Sequence, residues 1–599
     1  MRSRDMTICC LCLLLSISML IIGGSQLDYI NSQRQKMGLI SNEPLENAPP
    51  SLAFATVAMG AFRGLVVDIL WMRAEKLKDE GQFFDAKQLA DWITKLQPRF
   101  ASVWDFHSWN MAYNISVAIP ATQPDERWRW VKNGYELLRD KGIEINPKSI
   151  LLYRQLAFIF QHKIGAVSDD AHKYYKLQLA EMMEPLLGPA DNAYFEALAN
   201  APTSWQQIIS DPNIAELVDR LASSDRSFAD ADPDEFVNRY LSLRQNPGRF
   251  ENAAFEVING LRGSAALAKF DVFAKADYLR RVWKLDPVLM QELNKKYGPV
   301  DWNDPNTHLP LDWRHPDSHA IYWAVKGLRV AGKRGVQKPG ENEYSVDEIN
   351  TDRIVNHSLQ NLFRSGKIYI WETPVEQDSA AYASQTDQPT RDIFLRPDLR
   401  MFEPYNEHQL MIIRKYTDPN GRELNSHQIG HRNMLKNAVL SFYQSGHKRQ
   451  AQRIYDQLRQ LYPMREFEVP LVQFVGERFI EELKSLHILN ARELVVTLLR
   501  ESYFYYAMRD DNEAASRENL AKQVYDFYMT PMKDEWRIDL PPLPRLRYMA
   551  LIDFLNDQQF LPSIRRALRN RIKVEKPDLF EQLMQEETKM QEELKQSQL

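Results

Sequence analysis

Apolar residues in this chain return at helical spacing, and Gly or Pro cuts the pattern at short intervals. Between 55 and 188 the cuts fall at Gly81, Pro98, Asn146-Pro147, Gly165 and Gly188-Pro189. Proline lacks the amide hydrogen a helix needs and its ring clashes with the preceding turn. Glycine enters the left-handed conformation that closes a helix. The cuts define three helix pairs: 62–80 with 83–96, 101–117 with 124–141, and 150–164 with 168–186. Consecutive pairs of roughly 35–50 residues predict an α-solenoid. Composition agrees: 23 glycines in 599 residues argue against a turn-rich all-β chain, and 44% apolar residues suffice for a packed interior. Three cysteines exclude a disulfide scaffold or a multi-cysteine zinc fold. A net charge of −5, from 75 basic and 80 acidic residues, removes the electrostatic argument for a nucleic-acid partner.

Two hairpins share one spacing. After Gly81, Phe83, Ala86, Ala90, Ile93, Leu96 and Pro98 follow at +2, +5, +9, +12, +15 and +17. After Gly446, Lys448, Ala451, Tyr455, Leu458, Leu461 and Pro463 occupy the same offsets, and Leu435, Ala438, Val439 and Phe442 precede it at −11, −8, −7 and −4. This pattern resembles the tetratricopeptide repeat over 62–187 and 432–463, and in looser form over 466–531. The resemblance implies antiparallel helices brought close by small residues, with Trp104, Tyr153 and Ala157 at the family's aromatic and small positions. The block from Gly60 to Asn110 is also similar to bacterial membrane-anchored repeat proteins, which implies architecture and topology but no activity.

Residues 7–23 (TICCLCLLLSISMLIIG) carry no charge, contain all three cysteines and follow Arg2 and Arg4. As a helix they span about 25 Å, at the short limit for a bilayer. Ile22-Gly23-Gly24-Ser25 is a poor cleavage site, and leading arginines favour a cytoplasmic N-terminus. The expectation is a retained transmembrane anchor over 1–24 in a bacterial inner membrane, a stalk over 25–54, and a periplasmic bulk. A second apolar run, 52–72, holds Arg63 and Asp68, each costly at a bilayer centre. It reads as a soluble or membrane-surface helix.

The fold class expected is mainly α, a transmembrane helix followed by an α-solenoid with a small β insertion. Repeats fill 55–188, and a helical region without clear repeats fills 189–331, with 226–234 as a loop. An irregular region with the β element fills 332–430. It takes 367–372, 391–396 and 408–416 as extended, from their β-branched and aromatic content, and 379–390 and Asp418–Gly421 as loop and turn. Further repeat-like hairpins fill 431–535, and terminal helices with a charged tail fill 536–599.

Chemistry is sparse. His315 and His319, and His427 and His431, lie four apart, as metal ligands on one helical face do. Pro316 biases His315 away from helix and toward a capping position. Gly430 lies inside the second pair, and no HExxH accompanies either. Gly327–Arg334 (GLRVAGKR) has Arg334 where a phosphate loop needs a hydroxyl. Asp418–Glu423 lacks the ligand spacing of a calcium loop. No Gly-x-Ser-x-Gly elbow is present. No catalytic residue, cofactor or metal is therefore assigned. The basic run Arg565, Arg566, Arg569, Arg571, Lys573 reads as a solvated face, or one turned to anionic lipid or an acidic partner.

Six tryptophans (Trp71, Trp92, Trp104, Trp109, Trp128, Trp130) fall in the first 130 residues and read as repeat core or as the lining of a groove. In the repeat template the inner face comes from first-helix positions, here Glu75, Lys78, Asp105, Trp109, Tyr113, Arg154, Phe158 and His162. They lack the Lys/Asn pattern with which some repeats of that family clamp a carboxylate. The leading expectation is a non-catalytic scaffold binding other envelope proteins or peptides on that surface. One alternative is an envelope enzyme with its site in 301–430. The other is glycan or lipid binding by the aromatic groove.

Overall fold

A computed structural model describes residues 63–189, 191–331, 344–373, 390–416, 425–483, 488–529, 540–556, 560 and 562–597, with five positions nearer the N-terminus. The proposed anchor lies outside the described residues apart from Leu15, Ser16, Ser18 and Met19, and so do 379–389, 418–423 and 332–334. Among the described residues no helix is long and apolar enough to cross a membrane. The chain forms two compact units, Met1–Pro98 and Arg99–Leu599.

The first unit's described part is a hairpin of α1 (Arg63–Asp79) and α2 (Phe83–Leu96). Ala86, Leu89, Ala90 and Ile93 are buried on one face of α2. Leu65, Ile69 and Met72 form an exposed stripe on α1. Gly81 joins the two at φ +77°, with its N–H on the Lys78 carbonyl and the Gln82 N–H on that of Leu77. This double closure satisfies two carbonyls that a helix end leaves orphaned.

The second unit is also mainly helical. Three successive helices change pitch midway. α3 runs from Ala101–Trp109 through a π-helical stretch Asn110–Ile115 to Ser116–Ala118. α4 runs from Pro124–Leu137 through Leu138–Gly142 to Ile143–Ile145, and α5 from Ile150–Phe158 into Ile159–Ile164. α6 (His172–Leu187) follows, and α7–α14 are eight helices from Asn192–Ala199 to Pro287–Tyr297. Residues 226–234 are not simply a loop. Asp225 and Asp232 accept backbone N–H groups and cap two helices, Arg226–Ala229 and the one opening at Pro233.

α15 (Pro316–Ala331) packs on α5 and on α16 (Val346–Ser365). The approach to α5 is close: a Cβ on Gly327 would sit 2.7 Å from that of Tyr153. Strands β1 (Lys367–Thr373) and β2 (Thr390–Arg396) pair antiparallel from Lys367↔Arg396 to Thr373↔Thr390. They dock on α6 through Ile393, buried with Leu177 and Ala180. The third expected strand is corrected: 408–415 belongs to α17 (Phe402–Lys415), and Tyr416 caps its end. Phe402, Tyr405, His408, Gln409 and Ile412 are buried at helical spacing, and that stripe overrides the local β preference of Ile412 and Ile413.

α18 (Asn425–Gln444) and α19 (Lys448–Leu461) pair across Gly446, at φ +79°. Its closure repeats that at Gly81: Gly446 N–H bonds Tyr443 O and His447 N–H bonds Phe442 O. α20 (Leu471–Leu483) completes the large core, which extends from Trp104 to Val475. A second core gathers α21 (Ile488–Ala507), α22 (Asp511–Met529), α23 (Leu543–Asn556), α24 (Pro562–Glu575) and α25 (Pro577–Ser597). α21 and α22 turn at Arg509, φ +63°, with the same pair of bonds, Arg509 N–H to Tyr506 O and Asp510 N–H to Tyr505 O.

Candidate functional site

α5 buries nearly all its side chains against the core, and its partly open positions are Leu151, Arg154, Phe158 and His162. Spacings of three and four place them on one stripe. α3 opens Asp105, Trp109 and Tyr113 in the same rhythm. The two stripes meet. Trp109 stacks on Tyr113 with centroids 4.0 Å apart and planes 16° from parallel. Phe158 lies 6.0 Å from Trp109 at 12°, and 4.9 Å from His162 at 7°. The Tyr113 hydroxyl and His162 Nδ1 are 3.3 Å apart. The result is an aromatic ladder of four near-parallel rings, with Trp109 the most exposed at 38%.

A buried ion cluster lies behind the ladder. Asp169 accepts from Arg127 Nη1 at 2.9 Å, Lys163 Nζ at 2.5 Å, the Ala171 N–H at 2.9 Å and the Tyr175 hydroxyl at 3.3 Å. Arg127 also donates through Nε to the Ile119 carbonyl at 2.8 Å. All three charged residues are buried, so the pairing offsets a desolvation cost that each would otherwise bear alone. Burial opposes the Asp169 charge, yet Lys163, the Ala171 N–H and Arg127 together hold its carboxyl below the usual range. Burial lowers the Lys163 ammonium despite Asp169. Lys163 sits in the π stretch of α5, with its ammonium 5.3 Å from the Tyr113 ring centre. A π turn adds a residue to the turn and re-aims the side chains after it. Here it sends Lys163 inward while His162 stays on the open stripe.

The other end of the ladder is polar. Arg154 pairs with Asp347 of α16, and Asp105 faces both. Burial raises the Asp105 carboxyl to about 6; Arg154 partly offsets this, and Asp347 adds to it. Burial, with the adjacent Lys163 charge, lowers the His162 imidazole below its ordinary range. It enters the stack neutral at pH 7.

Six of the eight residues expected from the repeat template thus share one surface. Glu75 and Lys78 belong to the other unit, where Glu75 is exposed and Lys78 lies 3.5 Å from Asp79. The tryptophans divide: Trp104 and Trp128 are core, whereas Trp92 and Trp109 are exposed. Sequence reasoning missed Arg127, Lys163, Asp169 and Asp347. A lysine directly after a stripe position, inside an otherwise apolar helix, was the available signal for Lys163.

His315, His319 and His431 make ring hydrogen bonds, while His319 Nδ1 and His427 Nε2 are buried without a partner among the described residues. His315 caps α15: its Nδ1 accepts the Asp317 N–H at 3.1 Å, and its Nε2 donates to the Ser365 carbonyl at 3.1 Å. His319 Nε2 donates to Trp313 O at 2.9 Å. His431 engages the Tyr462 hydroxyl and Asn406 Oδ1, both at 2.8 Å. Among the described residues no group of three or more His, Cys, Asp and Glu side chains converges as metal ligands would. Gly327 lies within α15 and serves helix packing.

No protein-family model matches the chain, and no curated protein matches it in sequence.

Proposed function

We propose that this chain is a tetratricopeptide-like α-solenoid scaffold that binds an extended segment of another protein along Trp109, Tyr113, Phe158 and His162. The observation that carries this reading is the ladder itself, one open aromatic surface built from two first helices of successive hairpins. Aromatic rings with few rotatable bonds give contact area at low entropic cost, which is what binding hot spots use. The Asp105–Arg154–Asp347 end supplies orientation and charge selectivity. The hairpin closures at Gly81 and Gly446 support the repeat resemblance, as do the buried Ala86 and Ala451 at its small position. Residues 7–23 anchor the chain in a bacterial inner membrane and place the ladder in the periplasm, so the partners are envelope proteins.

Geometry favours a peptide over a glycan. Tyr113 already covers a face of Trp109 at 4.0 Å, leaving ring edges more than free faces for a ligand. The enzyme alternative draws no support from His315, whose two ring nitrogens are both engaged.

The test is in-cell crosslinking of the full-length chain with a photoreactive residue at position 109, followed by mass spectrometry. A few stoichiometric envelope proteins are expected. Conventional crosslinking of Trp109→Ala/Phe158→Ala should lose the same proteins while the melting curve stays within a few degrees of the parent. Partners retained by the double variant, or no partner at all, would overturn the reading.

A further inference from the structure

The last three helices converge on a second site. α23, α24 and α25 border a groove of about 490 Å³, within the range of small-molecule sites. Each helix contributes one face. Leu551, Ile552 and Leu555 of α23 and Phe580 and Met584 of α25 make an apolar floor. α24 contributes Arg565, Arg566 and Arg569, three cations on one helical stripe.

Those arginines differ from their neighbour on the same helix. Arg571 pairs with Asp511 at 2.9 Å and with Glu575 at 2.8 Å. Arg565, Arg566 and Arg569 form no ion pair among the described residues. Arg565 donates to the Leu555 carbonyl at 3.0 Å and Arg566 to the Pro562 carbonyl at 3.3 Å. Both bonds fix the side chains over the groove without neutralising them. The groove's single acid, Glu587, is hydrogen-bonded to Tyr548. An apolar trough that sets three guanidinium groups against one carboxylate matches a molecule with one greasy tail and one anionic head.

We infer that this groove binds a single-chain anionic amphiphile, a long-chain fatty acid. Its acyl chain lies over Leu551, Ile552, Phe580 and Met584, and its carboxylate meets Arg566 and Arg569. The charge complementarity selects this occupant over a neutral one, and the groove's size suits one chain.

The experiment uses the full chain in nanodiscs of zwitterionic lipid, with empty discs subtracted. A dansyl-labelled undecanoate serves as the fluorescent probe, and palmitate, hexadecanol and acetate as competitors. Palmitate should displace the probe at micromolar concentration, hexadecanol at least about tenfold less well, and acetate not at all. Arg566→Ala/Arg569→Ala should weaken palmitate at least about tenfold, to the level of hexadecanol. Both side chains are exposed, so the fold should survive. Ile552→Trp, which fills the floor, should remove binding of both chains. Equal displacement by palmitate and hexadecanol would overturn the proposal. So would arginine variants that bind palmitate normally, or probe binding that appears only in discs of anionic lipid.

Discussion

Hairpin α18–α19 and the helices α3–α5 follow similar spacing and differ inside. In α19 the buried set is Ala451, Ile454, Tyr455 and Leu458, one apolar face of a regular helix. In α3–α5 and the turn that follows α5 the buried set includes Arg127, Lys163 and Asp169, and each of the three helices passes through a π stretch. Their glycines do different work. Gly446 is needed for its left-handed φ, since nothing lies within 4 Å of a Cβ placed there. Gly165 has an ordinary φ of −80°, but a Cβ there would lie 2.6 Å from the Gln161 carbonyl oxygen and 3.3 Å from Asp317 Oδ2. The α18–α19 hairpin closes by backbone conformation. The helices beside the buried charges also change pitch, each through a π stretch.

The deepest cut into that comparison is Asp169→Ala. It leaves Arg127 and Lys163 buried without their counter-ion, and a loss of about 3–5 kcal/mol is expected. Replacing all three with Met or Leu should cost far less, because no charge remains to be desolvated. Denaturant midpoints of the two variants check this; equal losses would mean that shape, and not charge, holds the α3–α5 region. Gly165→Ala comes next, at about 1–3 kcal/mol, since a backbone oxygen stands in the way and must shift.

These sites also mark where the sequence could be read. The alternating partners Asp105, Trp109, Tyr113 and Arg154, Phe158, His162 were legible because a helix repeats its faces every three to four residues. Asp347 was not. It reaches Arg154 across 193 positions of sequence, and only the packing of α16 beside α5 brings it there. The π stretches have no residue signature, since Asn110–Ile115 and Ile159–Ile164 share no pattern beyond apolar content. The helix at 402–415 was misread because two adjacent isoleucines weigh more in a short window than the buried stripe does over four turns.

The polar end of the ladder gives a pH test. The Asp105 carboxyl titrates at about 6 in the folded chain against 3.8 ordinarily. The folded state therefore holds that proton more tightly, and the Asp105 contribution falls as pH rises through this window. Asp105→Asn has no proton to lose. The variant should be more stable than the parent by about 1–2 kcal/mol at pH 7.5, and by little at pH 4.5. Unfolding curves at the two pH values measure it. A pH-independent difference would place the Asp105 charge in solvent and detach it from Arg154 and Asp347.

The smallest effect concerns the third hairpin turn. Arg509 takes the left-handed conformation that Gly81 and Gly446 take, with the same two closing bonds. Ala514 and Ala521 are buried at +5 and +12 from it, where Ala86 and Ile93 stand after Gly81. The geometry of α21–α22 is thus that of the other two hairpins, written with a residue that pays for its Cβ. In the left-handed region a side chain costs about 1–2 kcal/mol, and glycine's looser unfolded chain returns part of that difference. Arg509→Gly should therefore stabilise the protein by about 0.5–1 kcal/mol, while Gly446→Ala should destabilise it by a similar amount. Opposite signs of similar size, read as shifts in melting temperature, would establish that the three turns are one device. Two losses would mean instead that the Arg509 side chain holds α21–α22 through its own contacts.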